Sequence, residues 1–262
     1  MRNLVLSCSL FLFVFGALPV SLQAERPNFI IIFTDDQGYG DLSCFGSETI
    51  ETPNIDRLAK EGRKFTSFMV ASPVCTPSRA ALMTGCYPKR VGMHQHVLFP
   101  TSKKGLNPEE HTIADHLKSQ GYATACFGKW HLGHQPEVLP TSQGFDTYLG
   151  IPYSNDMWPG NKRGNPVTNR GPYEPLPIML QNKAVAHVSD DYDQALLAEV
   201  ITDEAIKFIR KNKKQPFFCF IPHSHVHNPR FARPKFLQRA EGNVNRAHVE
   251  EVDDSIGRVL NI

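Results

Sequence analysis

Phe29-Ile30-Ile31-Ile32-Phe33-Thr34-Asp35-Asp36 runs five apolar residues directly into two adjacent carboxylates. A short unbroken apolar run suits a strand covered on both faces, and its polar end lies where the strand stops. The same grammar recurs outward from it. Thr52-Pro53 opens a helix carrying Ile55, Leu58 and Ala59, which Gly62 stops. Phe65 to Val70 reads as a second strand, leading into Pro73-Val74-Cys75. A helix over His111–Gln120 ends at Gly121 and precedes a strand over Tyr122–Phe127, which opens into Gly128-Lys129-Trp130-His131. A longer helix, Ala195–Arg210, precedes a strand over Phe217–Ile221 that ends in His223-Ser224-His225-Val226-His227. Alternating strands and helices predict an α/β fold whose mainly parallel sheet is flanked by helices. In such sheets ligands bind beyond the carboxyl ends of the strands, so the polar clusters are expected to converge on one site. Residues 150–189, rich in Pro, Gly and Asn, read as a long surface excursion near that site.

Composition narrows the function classes. The 262 residues carry 28 basic and 26 acidic side chains, a formal net charge of +2, which gives no electrostatic case for nucleic acid. With 41% hydrophobic and 21% charged residues, the chain is neither disordered nor a polytopic membrane protein. Arg2, the apolar run Leu4–Val20 and Ala24 read as a secretory signal peptide over residues 1–24, leaving 25–262 as one domain. Export implies a secreted or periplasmic protein (lysosomal in a eukaryote), with no stable membrane insertion once the signal is cleaved. Cys8 leaves with the signal; Cys44, Cys75, Cys86, Cys126 and Cys219 remain, an odd number at spacings that match no disulfide framework or zinc knuckle. At the other end, Val249, Val252, Ile256, Val259 and Leu260 follow a helical period.

Two stretches carry chemistry. Asp35-Asp36 suits either a turn or a hard divalent cation, which takes oxygen ligands. Cys75-Thr76-Pro77-Ser78-Arg79-Ala80-Ala81-Leu82-Met83-Thr84-Gly85 places Pro77 in a first helical turn and Gly85 at the helix end. Cys75 then sits at a helix N-terminus, where backbone N–H groups stabilise anions, and Arg79 lies one turn on along the same face. Local physics equally admits an inert cysteine before a short helix.

Cys-x-Pro-x-Arg followed by Ala-Ala-Leu-x-Thr-Gly resembles the signature of the type I sulfatases, in which that cysteine becomes Cα-formylglycine. Pro27-Asn28-Phe29-Ile30, Thr52-Pro53-Asn54-Ile55-Asp56 and Gly128-Lys129-Trp130-His131-Leu132-Gly133 agree with it, and Gly150-Ile151-Pro152-Tyr153-Ser154 is similar to the arylsulfatase A branch. The resemblance runs from about Pro27 to the end of the chain. It implies an alkaline phosphatase-like α/β fold and hydrolysis of a sulfate ester on a sulfated small molecule or glycan. It further implies calcium held by Asp35, Asp36 and Cys75, and a formylglycine-generating maturation enzyme as partner. Cys75, as formylglycine, would be the nucleophile, Arg79 would hold its hydrate, and His131 would take a proton. Lys129, Ser154 and His227 would contact the sulfate.

His223, His225 and His227 alternate and would share one face of an extended chain, mimicking a zinc site. The family pattern instead selects His227, before Asn228-Pro229, and leaves His223 and His225 in supporting roles. His94, His96 and His134 are expected at the surface or in packing. Sulfatases of this type also carry a later strand ending in Asp-Asn and a further lysine, neither of which follows Ile221 here; Asp253-Asp254 falls inside a helical pattern. The resemblance therefore implies an N-terminal portion, cut before the last central strands and the C-terminal subdomain. Two other readings stay open: a phosphodiesterase or phosphonate hydrolase of the same superfamily, and a non-catalytic anion-binding fragment.

Overall fold

The computed structural model describes residues 26–161 and 173–262, so the expected signal peptide lies outside the described residues. Six strands form one sheet: β1 (Phe29–Phe33), β2 (Ala123–Phe127), β3 (Thr147–Gly150), β4 (Leu176–Leu180), β5 (Lys183–Val188) and β6 (Phe217–Pro222), in the order β1-β6-β2-β3-β4-β5. β1, β6, β2 and β3 are parallel, as the alternation of elements predicts. The helices are α1 (Pro53–Glu61), α2 (Cys75–Thr84), α3 (Ile113–Ser119), α4 (Asp191–Asn212), α5 (Pro234–Arg239) and α6 (Val244–Leu260).

The central strand β6 shows how the sheet holds both layers. Phe217, Cys219 and Ile221 point to one face, against Leu197, Ile201, Ala205 and Phe208 of α4. Phe218 and Phe220 point to the other, against Ala80 and Met83 of α2, Trp130 and Phe145. Successive side chains alternate between faces, so an unbroken apolar run is the sequence of a strand with a core on each side.

Three expectations change. Among the described strands β1 lies at the edge and pairs with β6 alone, and Phe29 and Ile30 stay about 40% exposed, so its first half is not covered on both faces. Phe65–Val70 forms no strand: turn conformation interrupts it, no described strand pairs with it, and Met69 is 86% exposed. β-prone residues make a strand only when a partner takes their backbone hydrogen bonds. The excursion over 150–189 contains a hairpin, β4–β5, that extends the sheet antiparallel from β3; its residues 162–172 lie outside the described ones.

Helix starts follow their caps. α4 begins four residues before the predicted Ala195, because the Asp190 side chain accepts from the Asp193 N–H at 2.8 Å. Thr112 and Asp115 form a reciprocal capping box at the start of α3. Across the fold, Asp253 of α6 caps α1: its carboxylate accepts from the backbone N–H groups of Asn54 (3.0 Å) and Ile55 (2.8 Å) and from the Asn54 amide (2.8 Å). Gly257 lies against the same Asn54, where a Cβ would come within 2.4 Å of its side chain.

Asp253→Ala would leave the first amides of α1 unpaired at a half-buried helix contact. Urea denaturation followed by circular dichroism is expected to show a loss of about 1–3 kcal/mol. An unchanged midpoint would contradict this role.

Candidate active site

The carboxyl ends of β1, β2 and β6 and the start of α2 meet at one place. β1 continues into Asp35, whose N–H donates to the His225 carbonyl and whose carbonyl accepts from the Val226 N–H, both at 2.7 Å. That clasp ties the acidic pair to the histidine loop after β6. Lys129 follows β2; its N–H donates to the Pro222 carbonyl at 2.7 Å. Gly128 permits the approach, because a Cβ there would lie 2.1 Å from the Pro222 oxygen.

Three charges are buried together. The Lys129 ammonium, fully buried, donates to Asp35 Oδ2 and, at 2.8 Å, to Ser154 Oγ, with Cys75 Sγ at 3.6 Å. Arg79 sends Nη1 to the Lys129 carbonyl at 2.6 Å, places Nη2 3.4 Å from Asp35 Oδ2, and lies over the Phe33 ring. Cys75 Sγ stands 3.6 Å from Asp35 Oδ1. Burial by itself would raise the Asp35 pKa, but the Lys129 and Arg79 cations outweigh it and hold the carboxyl well below the usual range. The Cys75 thiol moves the other way: burial pushes it up and the Asp35 carboxylate adds to that rise, outweighing the opposing Lys129 and Arg79 cations, so this thiol is not poised as a thiolate.

His131 is buried, with its backbone in the left-handed region at φ 60. Its Nε2 lies 2.9 Å from the Leu98 carbonyl, while Nδ1 is buried without a hydrogen-bond partner. Burial, then Lys129 and Arg79, push its pKa well below the ordinary imidazole range. At the rim, His227 Nε2 stands 3.6 Å from Asp36 Oδ2, the Asp36 side chain being 57% exposed. A cavity of about 820 Å³ opens from Asp35, Asp36, Cys75 and Arg79 and is bounded beyond them by apolar side chains, including Phe65, Phe68 and Met69.

The structure thus joins Asp35, Cys75, Arg79, Lys129 and Ser154 by direct contacts and pairs Asp36 with His227, while the buried His131 feels the charges of Lys129, Arg79 and Asp35 without a side-chain hydrogen bond to any of them. His223 and His225 turn away: His223 Nε2 lies 3.0 Å from Ser255 Oγ, and His225 packs on His248 (ring centroids 3.8 Å) near Glu251. His94 and His96 are exposed, and His134 packs on Tyr153. Asp253 and Asp254 serve α1 and Arg233, far from any ligand role. All five described cysteines are free.

The sulfatase family model matches residues 27–262. The chain belongs to the sulfatase family. It is 38% identical to human arylsulfatase A over 257 residues, covering 93% of this chain and 50% of that one. Against mouse steryl-sulfatase it is 37% identical over 305 residues, covering 92% and 49%. The PsFucS1 sulfatase from Pseudoalteromonas sp. superposes with a TM-score of 0.78 at 29% identity, covering 91% and 52%. A second neighbour, solved in complex with its substrate D-glucosamine-2-N,6-O-disulfate, has a TM-score of 0.63 at 27% identity, covering 84% and 38%. The phosphonate monoester hydrolase of Agrobacterium radiobacter shares the fold alone, at 19% identity and a TM-score of 0.57. The chain spans about half the length of the curated relatives it matches.

For this sulfatase-family chain, the donors expected to hold a metal are Asp35, Asp36 and the Cys75 position. Carboxylate oxygens suit calcium in kind. Their number is short: among the described residues no three His, Cys, Asp or Glu side chains gather to hold a metal ion. Reading single residues missed Thr76 and the Leu98 carbonyl, which no charge or metal-ligand pattern marks; Thr76 stood inside the quoted signature.

Three buried imidazoles are expected to make the fold acid-labile. His131, His223 and His248 all have depressed pKa values, His223 at about 3, chiefly through burial and then through neighbouring cations or histidines. The unfolded chain takes up these protons near pH 6.5 and the folded chain does not, so stability held above that pH falls as pH drops. The slope is up to about 1.4 kcal/mol per pH unit per imidazole. The Asp35 contribution is lost only in the ordinary carboxylate range and below. Urea midpoints measured from about pH 7.5 to about pH 5 are expected to fall, starting near 6.5; a flat profile would refute it.

Proposed function

We propose that the protein of which this chain is part hydrolyses a sulfate ester, with the Cys75 position converted to formylglycine. The observation that carries the reading is the buried group of Cys75, Asp35, Lys129, Arg79 and Ser154, which sets two cations and a hydroxyl around one small space. Burial and Asp35 raise the Cys75 thiol pKa, so an unmodified thiol there would be a poor nucleophile. When present, the hydrated aldehyde would supply one hydroxyl to attack sulfur as the ester alcohol leaves, and a second whose deprotonation would restore the aldehyde as the carbon–oxygen bond to sulfate breaks.

The chain's own residues do the rest. Lys129 and Arg79 oppose the charge that grows on the nonbridging oxygens, in a site dry enough for that attraction to count. Ser154, held by Lys129, offers a hydroxyl at the same wall. His227 borders the sulfate space from the Asp36 side. His131, kept neutral by its surroundings, accepts the proton of the releasing hydroxyl. Asp35 and Asp36 would hold calcium, whose charge would further polarise the sulfate oxygens.

The substrate class is a sulfated sugar or other sulfated small molecule; the relative solved with a disulfated glucosamine supports the sugar. A formylglycine-generating enzyme is the maturation partner, and the N-terminal apolar segment supports export. Retention of each charged group argues against decay of the site by point mutation.

Expressed with a maturation enzyme, the Cys75 peptide is expected to carry an aldehyde by mass spectrometry. Cys75→Ala should abolish turnover of an aryl sulfate without changing the circular dichroism spectrum. An unmodified thiol in an active preparation would sink this mechanism, and faster turnover of aryl phosphate than of aryl sulfate would favour the phosphoryl-transfer reading.

A further inference from the structure

Thr76 is fully buried, immediately after Cys75, and bears no charge. Its hydroxyl is used twice. Oγ1 donates to the His131 carbonyl at 2.9 Å and accepts from the Leu98 N–H at 3.1 Å. The Leu98 carbonyl in turn faces His131 Nε2 at 2.9 Å. These contacts close a ring: Thr76 hydroxyl, Leu98 backbone, His131 imidazole, His131 carbonyl, and back to Thr76.

A carbonyl oxygen only accepts, so the Leu98 contact requires a proton on Nε2. A neutral imidazole with Nε2–H carries its lone pair on Nδ1, which is the ring nitrogen without a partner here. The Leu98 peptide can hold that proton only if the peptide itself is held, and the hydroxyl of Thr76 fixes its N–H. The same hydroxyl anchors the His131 backbone, which sits at φ 60, where a histidine needs its neighbours to hold it. We infer that Thr76 is the positioning residue for His131: its hydroxyl fixes the Leu98 peptide, and so commits the imidazole to the Nε2–H tautomer with Nδ1 free to accept a proton.

The geometry stands independently of the reaction; its catalytic use rests on the sulfate-ester reading. There, the Nδ1 lone pair takes the proton of a hydroxyl at the Cys75 position, and the resulting imidazolium keeps its Nε2–H on Leu98. Proton acceptance needs no further reagent.

Nitrogen-15 spectra of the histidine rings test it directly, with the His131 resonances assigned by their loss in His131→Gln. Wild type should show the Nε2–H tautomer, and Thr76→Ser should keep it. Thr76→Val, matched in shape but without the hydroxyl, should shift His131 toward a mixture of tautomers. With an aryl sulfate, its kcat should fall roughly ten- to a hundred-fold at little change in KM, and Thr76→Ser should recover most of the loss. A merely structural threonine would lower stability in Thr76→Val and leave the ring spectrum alone, which would overturn the inference. So would an Nδ1–H tautomer in wild type. If Thr76→Val does not fold, the wild-type Thr76 hydroxyl proton decides: slow exchange with water supports the ring, and exchange at the solvent rate overturns it. Absence of sulfate turnover with the expected tautomers would reject the functional reading and leave the positioning intact.

Discussion

The fully buried ammonium of Lys129 is the constraint around which the other elements are arranged. A lone buried cation is costly enough that proteins either neutralise it or bring a carboxylate to it. Here Asp35 comes from β1, two strand positions away across β6, so the C-terminal ends of three strands must stay level. Arg79 adds a second cation from α2 and takes the Lys129 carbonyl as well as Asp35, so the helix is locked to the same point. With two cations against one buried carboxylate, the group keeps a positive excess. That excess suits it to an anion and holds the Asp35 pKa down despite burial.

Two glycines and a peptide clasp let the backbone meet this demand. Gly128 allows β2 to leave the sheet against Pro222, and Gly150 allows β3 to approach Gly128, where a Cβ would sit 1.9 Å from its carbonyl oxygen. The reciprocal bonds between Asp35 and the 225–226 segment then hold the histidine loop beside the acidic pair. The same loop is backed by α6, through Ser255, His248 and Glu251. A helix that contributes no residue to the anion site therefore still sets where His227 stands. On the far side of β1 the situation is reversed: no strand of the described residues pairs with its outer edge, and Phe65, Phe68 and Met69 border an open cavity instead of a core.

Much of this was legible in the chain. The apolar runs at 29–33, 122–127 and 217–221 became strands, and each polar cluster after them arrived at the site, because a parallel sheet places all its carboxyl ends together. Asp35, Cys75, Arg79, Lys129 and Ser154 were identified by signature and found in contact. The histidine triplet was not resolvable by spacing: alternation gave His223, His225 and His227 one shared face, whereas the loop after β6 bends and sends the first two against α6. Thr76 was invisible for a different reason. A hydroxyl shows no function until the two backbones it joins, 22 and 55 residues away, are known.

The sequence by itself determined which segments alternate, which residues carry charge, and the family to which the chain belongs. Those properties are local, since periodicity and side-chain type are written residue by residue. Only the tertiary structure decided that β1 is an edge, that Phe65–Val70 stays out of the sheet, that Asp253 caps a helix and that His131 is held by Thr76. Each of those depends on which distant backbone groups and charges come to share a buried space, and burial is a property of the whole fold, not of any one segment.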